Sequence, residues 1–326
     1  MYLNRNNILS YNASLNFVVL KRGFGKTWTF KELAISEFLK SGLKTLWLRR
    51  YKLELRETKS KFLGDIVNHF GDHKLIMKGN TLYVDGKPAI EFMCLTQAQD
   101  VKSSTYADFK YLIFDEFIIE GKAKYYIGEE CTVFSSLMST FLRDSKNRKI
   151  FMLGNKVTTV TPYTLYFNLP DFDGVRYLSN RSILLYCKDN DGEIEDNYKD
   201  APLEKILQGT PYYNYALANK SLDDNNDFVE KRPNDLRVIV VIDVNGTKVG
   251  MFYDTPNSKI YFDLHCDKTI KAKYTLDNND LSKSYMLLNK NTPMFKMLKD
   301  FYYNGRVYFN DIRTKIIMKD LLKFII

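Results

Sequence analysis

Residues 20–27 read LKRGFGKT, and residues 111–117 read YLIFDEF. Gly23, Phe24 and Gly25 form a bend in which the glycines let backbone N–H groups approach a polyphosphate with no Cβ in the way. Lys26 would reach the β- and γ-phosphates, and the Thr27 hydroxyl would ligate Mg²⁺. In the second stretch an apolar run ends in two adjacent carboxylates. Asp115 would hold Mg²⁺ through water, and Glu116 would polarise the attacking water. The chemistry expected is binding and hydrolysis of ATP with Mg²⁺. One fixed position departs from GxxxxGK[ST]: Leu20 stands where the first glycine belongs.

Phosphoryl transfer also needs a cation on the developing charge. Arg22 lies inside the loop and could act in cis; Arg143, Lys146 and Arg148 could act in trans, across a subunit boundary. Asn155 ends the run KIFMLGN, where it reads equally as a polar sensor of the γ-phosphate or as a turn-forming Asn. His69 and His73 stand four apart, but the intervening FGD holds a glycine and lacks the Glu of HExxH. HFGDH therefore reads as a helix end and loop, without a metal role.

The elements that must position these groups alternate. An apolar strand over 15–20 leads into the glycine loop and then a helix over 29–39. Strands follow at 45–50, 111–114, 149–155 and 181–187, with a basic, mainly helical stretch over 51–70 and a helix over 133–142. The segment KLIMKGNTLYVDGKPAIEFMCL has two turn signals between alternating apolar residues and reads as a small antiparallel insertion. The fold class expected is α/β: a P-loop NTPase with a mostly parallel sheet flanked by helices, ligands at the carboxyl ends of the strands, and a smaller α+β C-terminal domain. The boundaries expected are 1–189 for the ATPase domain, 190–225 for a linker with a short helix over 203–208, and 226–326 for the C-terminal domain. In that last part RVIVVID, KVGMFYD and KIYFDLH form a meander, and a closing amphipathic helix over 311–326 takes Asp311 as its N-cap.

With 326 residues, 45% hydrophobic and 14% aromatic, the chain is a folded protein rather than a disordered one. A net charge of +9 favours a polyanionic partner such as nucleic acid. Four scattered cysteines form no CxxC pair, which argues against a zinc ribbon or a disulfide framework and for a reducing cytosol. The first dozen residues lack the apolar core of a signal peptide, and no apolar stretch approaches membrane-spanning length.

The motifs LNFVVLKRGFGKT, LWLRRYKLEL, YVDGK, YLIFDEFI, LMSTFLRDSKNR, MLGNKVTTVTPYTLYFNL, FVEKR and VNGTKVGMFYD together resemble the DNA packaging ATPases of phi29-like tailed phages. The resemblance runs over most of the chain. It implies an additional-strand ATPase core related to terminase and FtsK/HerA motors, and a homomeric, pentamer-like ring. That ring would act in the host cytoplasm, docked on the portal of a procapsid, in some relatives with a packaging RNA. It would translocate double-stranded DNA without reading sequence. By position, Lys26 and Thr27 match Walker A residues, Asp115 and Glu116 match Walker B, and Arg143 matches a trans-acting arginine finger. Lys102 matches a basic residue reaching the neighbouring subunit's nucleotide, and Arg22 an arginine that related terminases keep in the loop. The C-terminal domain is expected to be a degenerate, non-cutting RNase H-like nuclease despite Asp243, Asp254 and Asp263. The rival readings are a motor with a live nuclease and a nucleotide-switched docking module without translocation. Lys59, Lys61 and Lys124 are candidate DNA contacts.

Overall fold

The run LNFVVL carries one polar side chain, and it forms β1 (Leu15–Leu20), buried along its whole length. Asn16 is tolerated there because its side-chain N–H₂ donates to the carbonyls of Ala13 and Ile150, both at 3.1 Å. The computed structural model describes residues 3–64, 66–98, 106–119, 127, 129–143, 145, 147–156, 161–170, 174–187, 228–244, 246–276, 281, 284–318 and 321. The chain divides into two units, Met1–Asp223 and Asp224–Ile326. The expected linker, its short helix, Lys102, Lys124 and Lys146 lie outside the described residues.

In the first unit a short helix α1 (Arg5–Leu9) precedes β1, and α2 (Lys26–Ser41) follows the glycine loop. Next come β2 (Lys44–Arg49), α3 (Lys52–Lys61), β3 (Leu75–Lys78), β4 (Thr81–Val84), β5 (Lys87–Cys94) and β6 (Phe109–Asp115). Then follow α4 (Glu130–Leu142), β7 (Lys149–Asn155), α5 (Pro162–Tyr166), β8 (Gly174–Leu178) and β9 (Ile183–Cys187). The nine strands form one sheet in the order β3-β4-β5-β2-β6-β7-β1-β9-β8. From β5 to β9 every pairing is parallel; β3–β4 and β8 close the two edges antiparallel. The expected antiparallel insertion is therefore a hairpin on the sheet edge whose last strand, β5, pairs with β4 on one side and runs parallel to β2 on the other.

Successive side chains of a strand point to opposite faces, and the core divides accordingly. Leu15, Phe17 and Val19 join Phe114 and the α4 residues Phe134 and Phe141. Val18 and Leu20 join Trp47, Phe151 and the α2 residues Phe30, Leu33 and Phe38. Helices thus cover both faces, as a parallel sheet requires. The order β6-β7-β1 sets one strand between the loop-bearing strand and the acid-bearing strand. It brings Leu20 level with Asn155, and Asp115 level with Leu153.

The second unit carries β10 (Val238–Val244), β11 (Thr247–Asp254) and β12 (Lys259–Asp263) as the expected antiparallel meander. Three short strands extend it: β13 (Lys273–Thr275), β14 (Met286–Leu287) and β15 (Val307–Phe309), giving the order β14-β13-β10-β11-β12-β15. Helices α6 (Pro293–Tyr303) and α7 (Ile312–Ile317) complete it. Asp311 is the N-cap of α7, its side chain accepting from Thr314 N–H at 2.7 Å. Met318 is the C-cap of α7; of the remainder of the expected span, residues 319–320 and 322–326 lie outside the described residues, and Leu321 is helical.

Gly154 presses on the acidic strand's turn. A Cβ there would stand 2.7 Å from Ile118 Cγ1 and 2.9 Å from Phe117 Cε1. Gly154→Ala should therefore destabilise the fold by about 1–3 kcal/mol, read as a lowered Tm in thermal unfolding; an unchanged Tm would show that the turn has slack.

Candidate active site

The P-loop turns on two left-handed residues, Gly23 (φ 88°) and Gly25 (φ 67°), the second of which caps α2. Leu20 is buried as the last residue of β1 and keeps ordinary strand backbone, so the missing first glycine costs no turn. Its carbonyl accepts from Lys156 N–H at 3.0 Å and from Lys26 Nζ at 2.9 Å. Lys26 Nζ also donates to the Lys21 carbonyl at 2.6 Å. The ammonium is thus curled back on the start of the loop. The Phe24 side chain is 3% exposed, within the core cluster around Phe30. Only its backbone can serve a phosphate.

The acidic tip meets the loop directly. Thr27 Oγ1 donates to Asp115 Oδ1 at 3.3 Å, across 88 residues of sequence. Burial lifts the Asp115 carboxyl above its ordinary range, while the Arg49 guanidinium opposes that lift. Arg49 Nη1 donates to Asp115 Oδ2 at 3.2 Å, and Nη2 to Glu116 Oε2 at 2.6 Å. Burial works against the charge on Arg49, but Asp115 and Glu116 together raise its pKa. Glu116 itself sits in the left-handed region at φ 57°, a conformation costly for a side-chain-bearing residue.

A buried pair supports that turn. Arg50 is 2% exposed; its Nη1 and Nη2 donate to the Glu116 and Phe117 carbonyls at 3.2 and 2.6 Å. Its Nε and Nη2 also grip Glu130 at the head of α4, at 2.9–3.0 Å. Glu130 accepts further from Tyr163 OH at 2.7 Å and Ile127 N–H at 2.9 Å. Arg49, Arg50 and Glu130 were not legible as site residues. The only trace is the doubled arginine closing the strand TLWLRR, a position at the carboxyl edge of the sheet where ligands bind.

A cleft of about 420 Å³ opens over the loop, lined on one side by Gly23, Gly25, Lys26 and Thr27. Arg22, Trp28, Glu116 and Asn155 line the rest. An adjoining cavity of about 280 Å³ shares Arg22, Glu116 and Asn155 and reaches Arg50 and Glu54. The structure thus gathers Arg22, the loop residues, Asp115, Glu116 and Asn155. Arg143 is not gathered. It is exposed just beyond α4, whose thirteen residues span about 20 Å from the Glu130 end. Arg148 drops out as a trans cation: it is buried, donating to the Phe141 carbonyl at 2.6 Å. Of the histidines, His73 pairs with Asp85 at 2.7 Å and His69 lies in a 3₁₀ turn; no cluster of metal-ligating side chains occurs among the described residues.

In the second unit the three aspartates do not converge. Asp243 stands opposite Lys248 on β11 and Thr275 on β13. Asp254 lies six residues along β11 from Lys248, roughly 20 Å at strand rise, and binds Asn257 at 2.8 Å. Asp263 holds Arg232 Nε at 2.7 Å and His265 N–H at 2.9 Å.

Residues 1–325 match the family model described as Podovirus DNA encapsidation protein (Gp16). The DNA packaging proteins of Bacillus phages phi29 and PZA are each 31% identical over 325 residues, 99% of this chain and 97% of theirs. The fold superposes on a chain of the bacteriophage phi29 viral genome packaging motor assembly with a TM-score of 0.82 at 31% identity, covering 100% of this chain and 99% of that one. The N-terminal domain of the phi29 DNA packaging ATPase matches at 35% identity and a TM-score of 0.54, over 59% of this chain and 98% of the domain. A glycine loop and an acidic strand tip joined by one hydrogen bond therefore sit in a chain whose likeness to these proteins runs end to end, and this chain belongs to the Podovirus DNA encapsidation protein family.

Proposed function

We propose that this chain is the ATP-hydrolysing subunit of a homomeric ring that drives viral double-stranded DNA through a portal into a procapsid. The observation that carries the reading is the 3.3 Å contact between Thr27 Oγ1 and Asp115 Oδ1 at the floor of a cleft that also presents Lys26 and Glu116. Relatives named as DNA packaging proteins, and a chain of the same fold in a viral genome packaging motor assembly, support DNA as the cargo and an assembly as the working form.

Thr27 and Asp115 offer converging oxygen donors, and no cysteine, methionine or histidine is among the described residues lining the cleft, a set that suits Mg²⁺. When bound, that ion neutralises charge on the phosphates. Lys26 exchanges its two loop carbonyls for phosphate oxygens, trading neutral acceptors for charged ones. Glu116, half-exposed, faces the cleft where an attacking water would stand. It must leave Arg49 to accept a proton, since a carboxylate oxygen held at 2.6 Å by a guanidinium is a poor base. Arg22 and Asn155, which line the same cleft, would meet the terminal phosphate. Arg143 serves the site of a neighbouring subunit, its own site lying too far back along α4. We read the second unit as non-cutting, because two of its three aspartates are held by other side chains and the third faces Lys248 and Thr275.

Three outcomes test this. Glu116→Gln should lower phosphate release by roughly 10²–10⁴ while ATP binding by calorimetry stays close to wild type; sustained hydrolysis would remove Glu116 from its role. Arg143→Ala should lose about 10³–10⁵ in kcat. Mixing Arg143→Ala with Glu116→Gln chains should restore part of the ATPase, because each intact acid then meets a neighbour's intact arginine; a dead mixture would place the arginine in cis. DNA affinity should fall steeply and linearly on a log–log plot against salt, and a flat response would contradict a grip on phosphates.

A further inference from the structure

Everything in the cleft described so far recognises phosphate. Lys26, Thr27 and the loop N–H groups would hold any magnesium-bound triphosphate equally, so the nucleoside must be held elsewhere. Among the described residues lining the cleft, Trp28 is the one aromatic side chain. It follows Thr27 directly on the first turn of α2. Its neighbours Lys26, Thr29 and Phe30 are buried, whereas Trp28 is half-exposed and borders the opening. The chain's other tryptophan, Trp47, is fully buried in the sheet.

Trp28 is also braced. The His69 ring meets it edge-on with centroids 5.2 Å apart, and His69 in turn meets Phe70 at 4.9 Å. A bulky ring restrained by an edge-on neighbour at the rim of a polar cleft loses little freedom when a flat ligand settles on it. We infer that Trp28 is the stacking platform for the nucleobase of the bound triphosphate, with His69 as its brace. This rests on the cleft being the nucleotide site. Stacking accepts any base, because every base has a π-face. The platform therefore separates nucleotides from inorganic polyphosphates rather than one purine from another.

The test compares two probes on the full-length chain: ATP and inorganic tripolyphosphate, each with Mg²⁺, by calorimetry. Trp28→Ala should weaken ATP roughly tenfold and leave tripolyphosphate within about twofold, while Trp28→Phe keeps most of the ATP affinity. An unchanged ATP affinity in Trp28→Ala, or an equal loss for both probes, would overturn the assignment and leave the indole a packing group. Lys26→Ala should weaken both probes; if it weakens neither, the nucleotide-site reading itself fails, independently of Trp28. Should Trp28→Ala fold poorly, indole fluorescence decides: ATP quenches it in the wild type but not in Trp28→Phe, and tripolyphosphate does not. The same quench with both probes would refute a base contact.

Discussion

A carboxylate buried at the tip of a strand stays ionised only if a cation stands beside it, and this site depends on that condition. Asp115 is 4% exposed, and its burial favours the neutral acid, which binds metal poorly. Arg49 supplies the charge from the neighbouring strand and spans to Glu116 as well. One guanidinium thereby bonds two adjacent carboxyl groups and opposes the effect of burial on Asp115. Its fork geometry permits this; a lysine in its place would offer a point charge to one oxygen at a time.

The following residue performs a different task with the same chemistry. Arg50 ties the carbonyls of the Glu116 turn to Glu130, so the left-handed backbone of Glu116 is held from below. Glu130 heads α4, and Arg143 follows the end of that helix. The acid that would activate water and the arginine that would serve a neighbour are therefore attached to one rigid strut. Removing one member of such a buried pair costs several kcal/mol, because it strands the other charge. The pair is a constraint on geometry more than a source of net stability.

Much of this was legible beforehand. Strands of mainly apolar residues, such as 15–20 and 149–155, coincide with β1 and β7, because burial on both faces favours that composition. Lys26, Thr27, Asp115 and Glu116 stood out because phosphate and Mg²⁺ chemistry would demand those types at those spacings, and the structure brings the Thr27 hydroxyl to Asp115. The short strands β8, β13, β14 and β15 did not, since segments of two to five residues leave no periodic signal. Arg49 and Arg50 stayed hidden for another reason: a basic pair in a basic chain looks like surface, and only strand order shows that β2 lies beside β6. The Phe24 side chain was hidden too: it sits in the loop motif yet is buried in the core.

The absent first glycine shows how far a motif can bend before its chemistry fails. A glycine is required where φ is positive or where a Cβ would strike something. In this loop those demands fall on Gly23 and Gly25, and position 20 is still strand. Leu20 contributes instead through its carbonyl, which holds both Lys26 Nζ and Lys156 N–H. That carbonyl thereby links the loop to the end of β7, beside Asn155. A residue that looks like decay of the motif leaves the bend of the loop unchanged, because the bend is made at Gly23 and Gly25 and Leu20 stays in the strand.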